Sequence, residues 1–132
     1  MTDEQKMIIV EQEIDKSQSF LSEAYKLIEM EMWNVSANRA YYALYHAILA
    51  LMIHDGYSPK THSGLITEFG KEYILTGIFD KKHAKVLSQM RTIREKCDYD
   101  VFYSADKEQI ISIISDVREL IDLVISRISS PD

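Results

Sequence analysis

The chain has 132 residues, of which 46% are hydrophobic and 27% are charged. These proportions are typical of a globular protein, and a chain of this length can bury roughly two-thirds of its unfolded surface in one core. The formal net charge of −6 argues against general nucleic-acid binding driven by phosphate neutralisation. We therefore predict one helical domain over residues 1–132.

Several features predict a cytoplasmic location without membrane association. The acidic start of the chain has no signal-peptide core. The longest apolar run, residues 40–53, contains His46 and is too short to cross a bilayer. The single Cys97 cannot form an internal disulfide and fits a reducing compartment.

Hydrophobic spacing predicts helices throughout, and no segment alternates as a strand does. The first helix is expected over residues 3–31, where Thr2 and Gln5 can form a capping box. Its apolar seam has a spacing of three or four residues, broken only at Ser17; the seam comprises Met7, Val10, Ile14, Leu21, Ala24 and Ile28.

The second helix is expected over residues 35–54, with Asn34 or Ser36 as its cap and Gly56 at its end. It is apolar almost all round, which is typical of a helix in the middle of a bundle. A shorter third helix is expected over residues 60–75, opened by Ser58-Pro59 and ended by Gly77.

Asp80 is expected to cap a fourth helix over residues 81–98. Ser104 or Asp106 is expected to cap a fifth helix, which reaches residue 128. The predicted fold class is therefore all-α: an up-and-down bundle of four long helices plus one shorter helix.

The fourth helix is basic, whereas residues 1–33 and 97–132 are mainly acidic. Two explanations stay open, namely charge complementarity within the bundle and a local surface for an anion or RNA. The basic residues are Lys81, Lys82, Lys85, Arg91, Arg94 and Lys96.

The end of the fourth helix carries the first candidate site. Arg94 and Asp98 are separated by four residues, so their side chains can meet, and Tyr99 follows directly. On spacing alone this is a helix-end salt bridge, because Arg91 and Glu95 repeat the same pattern one turn earlier.

The second helix carries the other candidates. Arg39 and His46 share one helical face, whereas Asn38, Tyr41 and Tyr45 line the neighbouring face. His46 is interpreted as a core histidine with a satisfied partner, although a histidine can also act as an acid or base near neutral pH.

No metal or other cofactor is predicted. His54, Asp55 and His62 lack the compact spacing of a zinc motif. Cys97 lies on the apolar stripe of the fourth helix and reads as an inert thiol.

Three motifs in order give the chain a family resemblance. They are Asn38-Arg39-Ala40-Tyr41-Tyr42-Ala43, then His62-Ser63-Gly64-Leu65-Ile66 with Phe69-Gly70-Lys71-Glu72, and then Arg94-x-x-x-Asp98-Tyr99. Together they resemble the HEPN superfamily of small helical prokaryotic domains, and most closely its stand-alone branch with an Arg…Asp-Tyr signature. The resemblance covers about residues 5–128.

The resemblance implies a bundle that dimerises and often pairs with a minimal nucleotidyltransferase as a toxin–antitoxin-like system. Other members of the superfamily are metal-independent endoribonucleases, in which a histidine follows the arginine by four to six residues. In this chain no histidine follows Arg94, and Asp98 or Tyr99 stands at that position.

Histidine suits proton transfer at neutral pH, whereas a carboxyl of pKa ~4 and a phenol of pKa ~10 do not. We therefore predict a non-catalytic or weakly catalytic subunit that binds a nucleotide or RNA. Its ligand-binding residues would be Arg94, Asp98 and Tyr99, with Asn38 and Arg39 as supports. Whether Tyr99 is a modification target stays open.

Two alternatives remain at this stage. One is a divergent metal-independent endoribonuclease toxin in which Arg94 acts with His46 or Asp98. The other is an interaction-only helical bundle, in which the motif residues merely hold the fold together.

Overall fold

The computed structural model describes residues 1–130 and forms a bundle of five α-helices, with no strand in that range. The expectation of an all-α bundle with four long helices and one shorter helix is confirmed. The helices are α1 (Asp3–Glu29), α2 (Trp33–His54), α3 (His62–Phe69), α4 (Lys81–Tyr99) and α5 (Lys107–Ser129), and a π-helical turn (Gly70–Ile74) continues α3.

Helix α2 lies at the centre and packs against α1, α4 and α5. Its alanines at positions 37, 40, 43 and 47 are fully buried, and such small side chains let neighbouring helices approach closely. No helix within residues 1–130 is both long enough and apolar enough to cross a membrane.

The predicted interruption of the α1 seam at Ser17 has a physical explanation. Ser17 is fully buried, and its hydroxyl donates a 2.6 Å hydrogen bond to the carbonyl oxygen of Ala43 in α2. This bond satisfies the polar group inside the core. Met7, expected in the same seam, is instead 38% exposed near the start of α1.

Several helix ends confirm the sequence predictions. Thr2 and Gln5 form the expected capping box, and the Asp80 carboxylate accepts a 3.0 Å hydrogen bond from the backbone N–H of Lys82. Asp106 is the N-cap of α5. Gly56 and Gly77 end their helices with φ values of 94° and 80°, a conformation that favours glycine.

The predicted cap of α2 was wrong. The helix begins at Trp33 after Met32, without a side-chain cap. Asn34 instead accepts a 3.2 Å hydrogen bond from the backbone N–H of Ala105, and Ser36 donates a 3.2 Å bond to the carbonyl of Ala24. Both polar side chains therefore join α2 to other parts of the bundle.

The predicted start of the third helix was also wrong. Pro59 lies in the preceding loop, and α3 begins at His62 with Thr61 as its cap. The Thr61 hydroxyl accepts a 2.9 Å hydrogen bond from the N–H of Gly64. This cap places His62 in the first turn of α3.

Candidate functional site

Arg94 on α4 lies at the centre of an aromatic cluster on the inner side of the bundle. Its guanidinium carbon is 4.9 Å from the ring centroid of Tyr41, 5.5 Å from that of Tyr42 and 5.9 Å from that of Tyr99. The residue is only 6% exposed. Attraction between the cation and the three rings offsets part of the cost of removing a charge from water.

The hydrogen bonding of Arg94 is incomplete within residues 1–130. Its Nη1 lies 3.5 Å from Oδ2 of Asp98, which is long for a charge-assisted hydrogen bond. Its Nε is buried and has no partner in the described part of the chain. An unsatisfied buried donor costs about 1–3 kcal/mol, and an acceptor oxygen from a ligand would remove that cost.

Asn38 of α2 lies beside the Arg94–Asp98 pair, and these three residues with Tyr99 form the Arg94 corner. Its side-chain amide donates a 3.0 Å hydrogen bond to Oδ2 of Asp98. Asn38 lies one turn before Tyr41 on the same helix, so α2 supplies both the amide and the aromatic face. The structure thus brings together Arg94, Asp98, Tyr99 and Asn38, four of the five residues that the sequence grouped as a ligand site.

Arg39 and His46 face a different neighbour. The guanidinium carbon of Arg39 lies 5.0 Å from the ring centroid of Phe20, and Nδ1 of His46 lies 2.5 Å from Oε2 of Glu13. Phe20 and Glu13 both belong to α1. The face of α2 that carries Arg39 and His46 is therefore directed toward α1, and His46 has the satisfied partner that the sequence suggested.

His62 is the residue that sequence reasoning missed as a member of this site. From the first turn of α3, its Nδ1 lies 2.7 Å from the Tyr41 hydroxyl. Its ring stacks on Tyr45 with the centroids 4.5 Å apart, and its edge faces Tyr42 at 5.9 Å. His62 and Arg94 therefore contact the same tyrosine cluster from two different helices.

The electrostatics of this cluster fix two protonation states near neutral pH. Burial, and then the positive charges of Arg94 and Arg91, lower the pKa of His62 below its usual 6.5. Burial raises the pKa of Tyr41 to about 12. The imidazole is therefore neutral and the phenol protonated at pH 7, and His62 Nε2 is the ring nitrogen left for another group.

Arg91 ties the start of α3 to α4. Its Nη1 donates a 3.3 Å hydrogen bond to the hydroxyl of Ser63, and its Nε donates a 3.0 Å bond to Glu95. The sequence singled out the Arg91–Glu95 pair only as a repeat of the Arg94–Asp98 pattern. The Arg91–Ser63 bond holds Ser63, the residue next to His62, against α4.

The basic face of α4 is only partly neutralised inside the bundle. Lys82 pairs with Glu119 of α5 at 3.4 Å, which agrees with charge complementarity between helices. Within residues 1–130, Lys81, Lys85 and Lys96 form no ion pair. The Lys82–Glu119 pair thus supports charge complementarity, whereas the surface for an anion or RNA stays a prediction.

The remaining candidates lie outside this cluster or lack reactivity. Burial, and then the charge of Asp98, raise the pKa of the Cys97 thiol, so it is a weak nucleophile at neutral pH. His54 pairs with Asp55 at 2.8 Å, far along α2 from Asn38. Among residues 1–130, no three side chains of the metal-binding types cluster closely enough to hold an ion.

The described residues therefore define a small all-α domain with an arginine corner between α2 and α4. The family described as the HEPN domain matches residues 10–128. This chain belongs to the HEPN family.

Its relatives include proteins of archaea. A UPF0332 protein of Archaeoglobus fulgidus is 33% identical over 112 residues, which cover 83% of this chain and 86% of the relative. A Methanocaldococcus jannaschii protein named "Putative toxin MJ0605" is 28% identical over 111 residues, covering 84% of this chain and 82% of the relative. UPF0332 protein PH1297 of Pyrococcus horikoshii is 37% identical over 83 residues, covering 63% of this chain and 58% of the relative.

Proposed function

We propose that this chain is a single-domain, toxin-like HEPN subunit that binds a phosphate group of a nucleotide or RNA at the Arg94 corner. In this proposal it acts in the cytoplasm as a homodimer and pairs with a nucleotidyltransferase. The observation that carries the proposal is Arg94 itself, a buried cation enclosed by three tyrosine rings whose Nε has no partner among residues 1–130.

The chemistry of the corner favours an anion. A guanidinium offers donors in a fork that matches two oxygens of a phosphate, whereas Asp98 satisfies it only at 3.5 Å. Asn38 already holds Asp98 on the side of α2. In this proposal a phosphate oxygen accepts a hydrogen bond from Arg94 while the Asn38–Asp98 bond stays in place.

Exposed apolar side chains beside the corner support a protein partner. Tyr99 is 75% exposed, Val101 88% and Phe102 96%, and they follow one another around the end of α4. With Lys96 and Asp100 they border an open hollow of about 660 Å³. Contiguous exposed apolar groups with a polar rim are typical of interaction sites.

Family membership and the word toxin in the name of the Methanocaldococcus jannaschii relative support the paired-system part of the proposal. Members of the resembled branch are often encoded beside a nucleotidyltransferase, and Tyr99 is accessible to such a partner. A ribonuclease that uses His46 with Arg94 gains no support from the geometry, because His46 is bonded to Glu13 of α1.

The test is affinity purification of the tagged chain from its native host, with bound proteins and bound nucleic acid both identified. Wild type should recover a nucleotidyltransferase, and the nucleotide or RNA should be lost from Arg94→Ala. Arg118→Ala is the matched control, because Arg118 also stacks on a tyrosine, Tyr25 at 5.7 Å, but lies on α5. If Arg94→Ala lowers only the melting temperature and keeps all binding, the chain is an interaction-only bundle and the proposal is wrong.

A further inference from the structure

We infer that a cavity between α4 and α5 binds a free α-amino acid with a polar side chain, whose α-groups lie against His83. The cavity has a volume of about 240 Å³. This is below the roughly 300–1,000 Å³ of pockets for drug-sized molecules, so its ligand is small. Its polar lining comprises Lys82, His83, Lys85 and Gln89 of α4 with Asp116 and Glu119 of α5.

This cavity is separate from the Arg94 corner. His83 lies three turns before Arg94 on α4, which is about 16 Å along the helix axis. The lining of the cavity includes neither Arg94 nor any residue of α2. The inference therefore does not rest on the proposed function.

The first observation is an unsatisfied imidazole. His83 is only 4% exposed, and its Nδ1 is buried without a hydrogen-bond partner among residues 1–130. The ring of Phe79, which meets the imidazole at 6.2 Å, has no group to bond with it. A histidine nitrogen either donates or accepts a hydrogen bond, and leaving it buried and unpaired costs free energy. A ligand group that pairs with Nδ1 would remove that cost.

The second observation is the charge on the two walls of the cavity. Helix α4 contributes the cations Lys82 and Lys85, and helix α5 contributes the anions Asp116 and Glu119. One pair is closed across the walls, because Nζ of Lys82 lies 3.4 Å from Oε1 of Glu119. Within residues 1–130, Lys85 and Asp116 form no ion pair. The unpaired cation and carboxylate match the carboxylate and ammonium groups of an α-amino acid.

These groups have defined roles in the proposed complex. The ammonium group of the ligand has three N–H donors, so it can donate both to the Asp116 carboxylate and to Nδ1 of His83. Nδ1 accepts in the tautomer that carries its proton on Nε2. Nζ of Lys85 donates to the ligand's carboxylate, and the Lys82–Glu119 pair stays closed.

A second cavity continues the first along α4 and α5. It has a volume of about 480 Å³ and shares Gln89 and Asp116 with the first cavity. Its other polar lining residues are Ser88, Thr92, Lys96, Gln109 and Ser112. Hydroxyl, amide and ammonium groups can pair with a polar side chain, whereas an aliphatic side chain would leave them without partners. A ligand side chain that extends here is therefore that of glutamine or glutamate in preference to leucine.

The test is isothermal titration calorimetry of the purified full-length chain with L-glutamine and L-glutamate as probes. Wild type should bind at least one of them, and L-leucine should bind about tenfold or more weakly. N-acetyl-L-glutamine lacks the ammonium group and L-glutaminamide lacks the carboxylate, so each should bind about tenfold or more weakly than L-glutamine. Absence of binding of both probes at millimolar concentration, or an unchanged affinity for either analogue, overturns the inference.

Substitutions on the two walls should weaken binding of the probes. Asp116→Asn and Lys85→Gln should each lower the affinity about tenfold or more, because each removes one charge-assisted hydrogen bond. The matched controls are Asp122→Asn on α5 and Lys81→Gln on α4, which change exposed residues outside the cavity. Both controls should bind like wild type. Wild-type affinity of Asp116→Asn would contradict the assigned ammonium contact and overturn the inference.

His83→Phe separates ligand binding from structural support. The change removes an unpaired buried nitrogen, so the melting temperature of the ligand-free chain should stay the same or rise while probe affinity falls about tenfold or more. His83→Leu is a second variant in case the phenyl ring overpacks the site. Wild-type affinity in both variants overturns the inference.

A folded Arg94→Ala chain distinguishes this inference from the proposed function. It should keep wild-type affinity for the amino-acid probes, because Arg94 does not line either cavity. Loss of probe binding in that chain would place the probes at the Arg94 corner and overturn the inference. The proposed function is tested separately, by the binding of nucleotide and RNA.

Discussion

The side-chain amide of Asn38 donates a 3.0 Å hydrogen bond to the carboxylate of Asp98, although the two residues are 60 positions apart in the sequence. This bond joins α2 to the last turn of α4 and orients the carboxylate that faces Arg94. Because it connects the central helix to the corner, it contributes both to the stability of the fold and to the geometry of the site.

A double-mutant cycle of Asn38→Ala and Asp98→Ala should therefore give a coupling free energy of about 1 kcal/mol in urea unfolding. The matched pair is Lys82 and Glu119, which joins α4 to α5 in an exposed position at 3.4 Å. Its coupling should be a few tenths of a kcal/mol at most, roughly as expected for exposed ion pairs. Equal coupling in the two cycles would show that the Asn38–Asp98 bond adds nothing beyond a surface contact.

His62 should make the stability of the fold depend on pH. Its pKa in the folded state is lower than its usual value of 6.5, so the unfolded chain binds the proton more readily. The free energy of unfolding should consequently fall as the pH drops below about 6.5 and continue to fall down to the folded-state pKa. Urea unfolding of wild type and His62→Asn at several pH values isolates this contribution.

In the variant, the part of the slope that belongs to His62 should be absent. A His54→Asn chain serves as the control, because His54 pairs with Asp55 away from the tyrosine cluster. If wild type and His62→Asn lose stability in parallel between pH 7.5 and 5.5, burial and the two arginines do not act on His62 as described.

The exposed side chains after α4 should matter for partners and not for folding. Phe102 is 96% exposed, so Phe102→Ser should leave the melting temperature within about 2 °C of wild type. The same change should weaken recovery of the partner protein or the homodimer, because it removes apolar area from the proposed contact. Ile111→Ser, on the exposed side of α5, is a suitable control. Unchanged assembly of the Phe102 variant would place the partner elsewhere.

Most of the helices could be predicted because their apolar residues repeat at the helical period and their ends carry recognisable caps, such as Thr2 and Asp80. The start of α2 could not be predicted, because Asn34 and Ser36 have side chains typical of helix caps but form tertiary hydrogen bonds instead. A local pattern does not distinguish these two uses of one polar group.

The candidate site also contains contacts that a local pattern predicts and contacts that depend on the tertiary fold. Arg94 and Asp98 could be paired from the sequence, since they are one helical turn apart. The position of His62 beside the tyrosine cluster could not be found in this way, because it depends on where Thr61 starts α3 and on how α3 meets α4. A histidine after Arg94 would be a local signal, whereas the contact of His62 with Tyr41 depends on the tertiary fold.

The most direct test of the account is equilibrium binding of labelled single-stranded RNA and of a nucleoside triphosphate to purified wild type, Arg94→Ala and Arg118→Ala. Because Arg94 provides the buried donors of the corner, Arg94→Ala should weaken binding at least tenfold, and Arg118→Ala should bind like wild type. Circular dichroism would verify that all three chains are folded. Wild-type affinity of a folded Arg94→Ala chain for both ligands would contradict the account.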